Sequence, residues 1–259
     1  MDAFPHGEAV SGVGEDRPER RRAITEVSIQ IHVDPVESIQ TITFDSYSTL
    51  VDVEAVEAAL ADRVDDPEPV SQHWRSRSLL YTVVMNELDQ YDSFYALNRA
   101  ALEHALASHG RDLPKAEREE ILAAYHELAV FDDVQEGLAR LNDAGYDPYV
   151  VSNGTPEMLE SMIAHAGIGG LIADAISADE IETYKPNVEL YRHAAARTGT
   201  PIEAIAHVSA LFYDVLGASR AGMTGVWIDR GKTPWDAFAG APDVTVQSIH
   251  EVADRLTAG

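Results

Sequence analysis

The sequence predicts an α/β chain, a doubly wound parallel sheet that carries a separate helical segment. Three observations predict it. From about residue 131 onward, helical and strand-like patterns alternate. Between about 52 and 130, apolar residues recur at helical spacing. A well-defined apolar strand, Ile39 to Phe44, precedes those helices, so they interrupt a sheet that resumes after them.

The elements follow in order. Residues 1–37 read as an N-terminal extension, flexible to about residue 23. Within it Val27, Ile29, Ile31 and Val33 alternate with polar residues, the pattern of an exposed or edge strand. Asp34-Pro35 marks a turn before Ile39–Phe44. Val53–Val64, His73–Leu88, Ser93–His109 and Lys115–Leu128 then read as helices, with Gly110 and Pro114 separating the last two. The alternating part predicts helices at Gln135–Ala144, Pro156–Ala166, Val188–Arg197 and Val215–Ala221. Its strands fall at Asp147–Val151, Ala173–Ile176, Ala204–Val208 and Gly225–Ile228. The expected domains are therefore a core of 38–51 plus 131–259 and a helical unit of 52–130.

Composition narrows the function. An apolar content of 45% over 259 residues is ample for a buried core. Acidic residues number 44 against 19 basic, a formal charge of −25. They are spread along the chain, which points to a surface adapted to high salt, where screening relieves self-repulsion. An acidic mimic or cation buffer would show an acidic block or a calcium-loop pattern, and neither is present. Nucleic acid is an unsuitable partner for such a field. Cysteine is absent, which rules out disulfides and thiol chemistry. No apolar run reaches the length of a membrane span, and the N-terminus lacks a signal-peptide core, so the cytoplasm is the expected location.

Four segments place chemistry at strand ends, where such sheets bind ligands. FDSYSTL (Phe44–Leu50) puts Asp45 at the end of the first strand, the position of a carboxylate nucleophile. VVSNGTP (Val150–Pro156) lets Ser152 and Asn153 converge on an anion ahead of a helix. TYKPNVELY (Thr183–Tyr191) offers Lys185, one of only three lysines, which can neutralise Asp45 and hold it ionised. HVSALFYDVLGA (His207–Ala218) carries Ser209 and Asp214. In the helical segment, HWRSRSLLYT (His73–Thr82) carries Arg75. The ten histidines show no metal-ligand spacing; His104 and His109 share a helix without HExxH, and His207 reads as a packed core residue. Trp227 and Trp235 read as core or rim residues.

Together these motifs resemble the haloacid dehalogenase-like (HAD) hydrolase superfamily, in the right order over about residues 39–232. The D-x-Y form at Asp45 and Tyr47, SNG at 152–154, YKP…Y at 184–191 and W-R-x-x-x-L-x-Y-T at 74–82 resemble the L-2-haloacid dehalogenase branch. The resemblance implies a Rossmann-like core with a helical cap and an (S)-2-haloacid dehalogenase-like hydrolase. That activity converts small 2-haloacids to 2-hydroxy acids through an aspartyl ester, with inversion at C2. It assigns Asp45 as nucleophile, and Lys185, Asp214 and Ser209 as its catalytic neighbours. Arg75 takes the halide. Thr49, Ser152, Asn153, Tyr191, Leu79, Phe94 and Tyr47 surround the substrate. No cofactor or metal is implied. The partner is a small molecule, with a homodimer as the expected assembly.

Chemistry supports the branch. A phosphatase expels an alkoxide and profits from a second acid two residues on; a halide leaves without a proton, so Tyr47 is acceptable there. Three positions depart from the pattern: Ser48 replaces Gly, Leu211 replaces Asn and Tyr213 replaces Trp. Two alternatives therefore stay open at this point. One is a magnesium-dependent phosphatase or other HAD hydrolase, with a weak Mg²⁺ site at Asp45 and Asp214. The other is a degenerate member that only binds carboxylates.

Overall fold

The computed structural model describes residues 38–257. The alternating segment predicted around Val27–Val33 lies outside them. Thr41–Phe44 is β1, buried along its whole length. It runs into a helical insert made of α1 (Val56–Ala61), α2 (Pro67–Glu87), α3 (Phe94–Ser108) and α4 (Lys115–Ala123). After it come α5 (Val134–Asp143), β2 (Pro148–Ser152), α6 (Pro156–His165) and β3 (Asp174–Ser177). Next are α7 (Val188–Thr198), β4 (Ile205–Ser209), α8 (Phe212–Ala221), β5 (Thr224–Ile228), β6 (Val244–Val246) and α9 (Ile249–Thr257).

The six strands form one parallel sheet in the order β3-β2-β1-β4-β5-β6. The chain steps outward from β1 to β3, then returns to the other side of β1 to build β4, β5 and β6. Strand order therefore reverses between β1 and β4, and crevices at such points bind ligands. Asp45 is the first residue beyond β1, and its N–H donates to Val208 O (2.9 Å) on β4. Ile42 and Phe44 are fully buried on β1, each contributing roughly 1.5–3 kcal/mol.

Among the ties between the insert and the core, two flank the motif residues. Val51 pairs with Val130, and Asp52 N–H donates to Ala129 O (3.0 Å), where the chain leaves for the insert and comes back. At the far end of α2, Asn86 donates to Tyr184 O (2.7 Å) and accepts from Tyr184 N–H (3.1 Å), one residue before Lys185. Inside the insert α2 packs along α3, with Trp74 fully buried and its indole N–H on Asn98 O (2.8 Å).

The predicted fold class is the one observed, with local differences. The helix α2 starts at Pro67 rather than His73, because Pro fits the first helical turn, where its missing N–H costs nothing. The predicted helix at 53–64 breaks into a 3₁₀ turn and the short α1. The helix predicted to Leu128 ends at Ala123 in a second 3₁₀ turn. β6 and α9 were not predicted: a loop containing Gly231, Pro234, Gly240 and Pro242 interrupts the alternation, and β6 is short.

Candidate active site

The motif residues gather beyond the carboxyl ends of β1, β2 and β4. Asp45 is 4% exposed, Lys185 2% and Asp214 0%. Lys185 Nζ lies 2.7 Å from Asp45 Oδ1 and 2.8 Å from Asp214 Oδ2, so one ammonium neutralises two buried carboxylates. Thr49 donates to the other Asp45 oxygen (2.9 Å). Both Asp45 oxygens thus accept from a donor, an arrangement that favours the ionised form.

Burial, followed by the nearby Asp214 carboxylate, raises the Asp45 carboxyl above its ordinary value against the pull of Lys185. A carboxylate stripped of water and kept basic is a better nucleophile than a solvated one. Asp214 goes the other way. Burial would raise it, but His207 and Lys185 together hold it well below the ordinary carboxylate range. It is therefore a poor base and a lasting anion. Burial opposes charge on Lys185, yet Asp214 and Asp45 outweigh burial and raise it above an ordinary lysine.

Asp214 is held on every side. Tyr191 donates to its Oδ1 (2.7 Å), and His207 Nε2 lies 3.0 Å from its Oδ2. His207 Nδ1 in turn meets Thr43 Oγ1 (2.8 Å), which locks the ring between β1 and α8. His207 is in the core as expected, and it also orients Asp214, a role its apolar strand did not signal. Tyr191 is fully buried, and its hydroxyl reaches Asp214 rather than the open cleft. Gly217 allows this approach: a Cβ there would lie 2.5 Å from the Tyr191 hydroxyl.

The other motif residues shape the surrounding loops. Ser152 meets Ser46 Oγ (2.7 Å) and accepts from Gly154 N–H (3.0 Å). Asn153 accepts from Lys185 N–H (2.9 Å), which fixes the lysine's backbone. Ser209 accepts from Leu211 N–H (3.1 Å). Ser48 adopts φ +70°, in the left-handed region where glycine is at ease. Tyr213 sits near Asp45 and Asp214, whose charges add to burial in raising its hydroxyl well above the ordinary value.

Between insert and core lies a cleft of about 460 Å³. Ser48, Arg75, Leu79, Leu211, Trp227 and Arg230 are among its walls. Arg75 and Leu79 project from one face of α2. Arg75 forms no ion pair or hydrogen bond among the described residues. An unpaired guanidinium is conspicuous in a chain with such an acidic excess. Phe94 opens α3, is buried and does not line this cleft. Arg230 escaped the motif reading: it donates to Thr49 O (2.8 Å) and pairs with Asp133 (2.7 Å), bracing the nucleophile loop. Its signal was its place just beyond β5. The indole of Trp227 donates to Ala210 O (3.3 Å) at the cleft rim.

A family profile described as haloacid dehalogenase-like hydrolase matches residues 39–222. The chain belongs to that family. Among its relatives, (S)-2-haloacid dehalogenase 4A of Burkholderia cepacia is 33% identical over 79% of this chain and 89% of its own length. The (S)-2-haloacid dehalogenase of Pseudomonas sp. strain YL is 30% identical over 83% and 94%. Among solved structures, L-2-haloacid dehalogenase from Xanthobacter autotrophicus superposes with a TM-score of 0.79 at 26% identity, over 85% of this chain and 99% of that one. The same enzyme has been solved with chloropropionic acid covalently bound.

Within this haloacid dehalogenase-like hydrolase, Asp45 and Asp214 already share the Lys185 ammonium. A divalent cation would have to displace it. The described residues contain no group of three His, Asp or Glu side chains arranged to hold a metal. Among them, no helix is long and apolar enough to cross a membrane.

Proposed function

We propose that this chain hydrolyses the carbon–halogen bond of small (S)-2-haloacids to give (R)-2-hydroxy acids. The observation that carries the reading is a buried carboxylate fixed by Lys185 and Thr49, at the base of a loop whose Ser48 lines the same cleft as the unpaired Arg75 guanidinium. The named relatives support it.

In the first step an Asp45 oxygen attacks C2 from behind. The C2–halogen bond breaks, its electron pair leaves with the halide towards Arg75, and C2 inverts. Growing charge on the leaving group is what a guanidinium stabilises most. No proton is needed, which suits Tyr47 at the position where an acid would otherwise stand. Thr49, Ser152 and Asn153 hold the nucleophile and the substrate carboxylate; Leu79 and Tyr47 bound the substrate.

In the second step water attacks the ester carbonyl of Asp45. The acyl–oxygen bond breaks, one water proton goes to the departing hydroxy acid, and the other leaves to solvent. Lys185 offsets the oxyanion, and Asp214 keeps Lys185 charged and in place. Asp45 is regenerated. No metal or organic cofactor takes part.

Residues 52–130 act as the cap over a core of 38–51 and 131–259, hinged where Val51 meets Val130. The acidic surface serves a cytoplasm of high salt. Leu80, Val83, Val84 and Leu88 form an exposed apolar stripe on α2, the face proposed for a homodimer. The reaction is tested with each enantiomer of 2-chloropropionate in concentrated potassium chloride with EDTA. D-lactate from the (S)-substrate alone is expected; no lactate from either would overturn the reading.

A further inference from the structure

Arg230 stands just beyond β5, and its side chain is only 8% exposed. Nε and one Nη donate together to the Thr49 carbonyl, at 3.2 and 2.8 Å. The other Nη donates to Asp133 Oδ1 (2.7 Å). The guanidinium carbon lies 4.4 Å from the centre of the Phe131 ring.

These partners are themselves held. Asp133 Oδ2 accepts the Ile249 N–H (2.6 Å), at the start of α9. Phe131 N–H donates to Leu50 O (3.1 Å), so the ring against the guanidinium is tied to the residue after Thr49. Arg230 is therefore anchored by the chain returning from the insert and, through Asp133, by α9.

Burial opposes its charge, and Asp133 is the carboxylate that answers it. A buried ion pair of this kind adds little stability beyond that of apolar side chains of similar volume. What the planar fork adds is direction. Two donors on one carbonyl oxygen fix the Thr49–Leu50 peptide in a way that a lysine ammonium cannot. Thr49 is fully buried, and its hydroxyl accepts from Ala210 N–H (3.0 Å) and donates to Asp45 Oδ2 (2.9 Å).

We propose that Arg230 is a positioning residue for the nucleophile: by fixing the Thr49 peptide it fixes the hydroxyl that aims Asp45. Its effect on turnover rests on the dehalogenase reading; its effect on Asp45 does not. Arg230 acts through Thr49 and touches no reacting atom.

A double-mutant cycle tests this, because Thr49→Val keeps the carbonyl that Arg230 grips and removes only the hydroxyl. Arg230→Lys keeps a cation for Asp133 and loses the fork. Alone, it is expected to lower kcat for (S)-2-chloropropionate about tenfold, with KM changed by less than about twofold. In the Thr49→Val chain the same change should cost less than about twofold, since the hydroxyl it served is gone. A purely structural role would cost the same in both chains, and a substrate contact would raise KM.

The second readout needs no turnover: the Asp45 carboxyl, followed by carbon-13 NMR as pH is varied. The Thr49 hydrogen bond is among the contacts that pull Asp45 down. Arg230→Lys should therefore move the Asp45 titration upward, and should leave it unmoved in Thr49→Val. If the wild type turns over no 2-haloacid, the dehalogenase reading fails and this titration still decides the role of Arg230. Should Arg230→Lys not fold, Asp133→Asn removes the charge that holds the guanidinium and keeps an acceptor for Ile249; the same pattern is expected. Equal losses of kcat in both chains, or an Asp45 titration that does not move, would overturn the proposal.

Discussion

Thr49 aims its hydroxyl proton at Asp45. Its oxygen accepts the Ala210 N–H (3.0 Å), which leaves the proton to point at Asp45 Oδ2, 2.9 Å away. One side chain therefore joins the ends of β1 and β4 and orients the nucleophile between them. Thr49→Val keeps the shape and removes both bonds. The expected loss in kcat/KM is about tenfold to a hundredfold, from one charge-assisted bond and one amide left unmet. Steady-state kinetics with 2-chloropropionate measure it; wild-type kcat/KM would show that the hydroxyl does not orient Asp45.

Acid should stop the reaction before it unfolds the protein. Asp214 is depressed, so its contribution to stability is present above its unfolded value of 3.8 and lost as pH falls towards the folded value. Asp45 is raised, so its contribution has the opposite sign and is lost as pH rises through the folded value. It takes up its proton first, and a protonated Asp45 cannot attack. Lys185 is raised, so its contribution holds below 10.5 and is lost only as pH climbs through the folded value. kcat/KM against pH, beside circular dichroism, should show activity failing at a higher pH than structure. Coincident acid transitions would contradict this.

A single methyl group on Gly217 should disturb the site without touching substrate. In Gly217→Ala the new Cβ would stand 2.5 Å from the Tyr191 hydroxyl and 2.9 Å from Pro186 Cβ. Overpacking of this kind costs about 1–3 kcal/mol. The melting temperature should fall, and kcat should fall as Tyr191 releases Asp214. An unchanged kcat would show that Tyr191 has no part in setting Asp214.

Ser48 holds φ +70°, where a side chain costs roughly 1–2 kcal/mol that glycine avoids. Glycine's greater freedom in the unfolded chain takes back about 0.5–1 kcal/mol. Ser48→Gly should therefore stabilise the fold by a net ~0.5–1 kcal/mol in denaturant titration. A lower midpoint would mean that the serine side chain holds the loop.

The legible parts of this molecule are those with local signals. β1 to β5 announce themselves as apolar runs, Asp45 and Asp214 come after strand ends, and Lys185 stands just before a proline. What escaped depends on residues distant in the chain. His207 looks like any buried strand residue until Asp214 is placed against it. Arg230 gains its meaning only when Thr49 O lies beside it.

The central claim is that Asp45, not water, attacks C2. A single turnover of (S)-2-chloropropionate in oxygen-18 water, with enzyme in excess, tests it most directly. The account predicts that the heavy oxygen appears in the peptide carrying Asp45 and that the lactate carries none. Heavy oxygen in the lactate, with Asp45 unlabelled, would contradict it and make water the nucleophile.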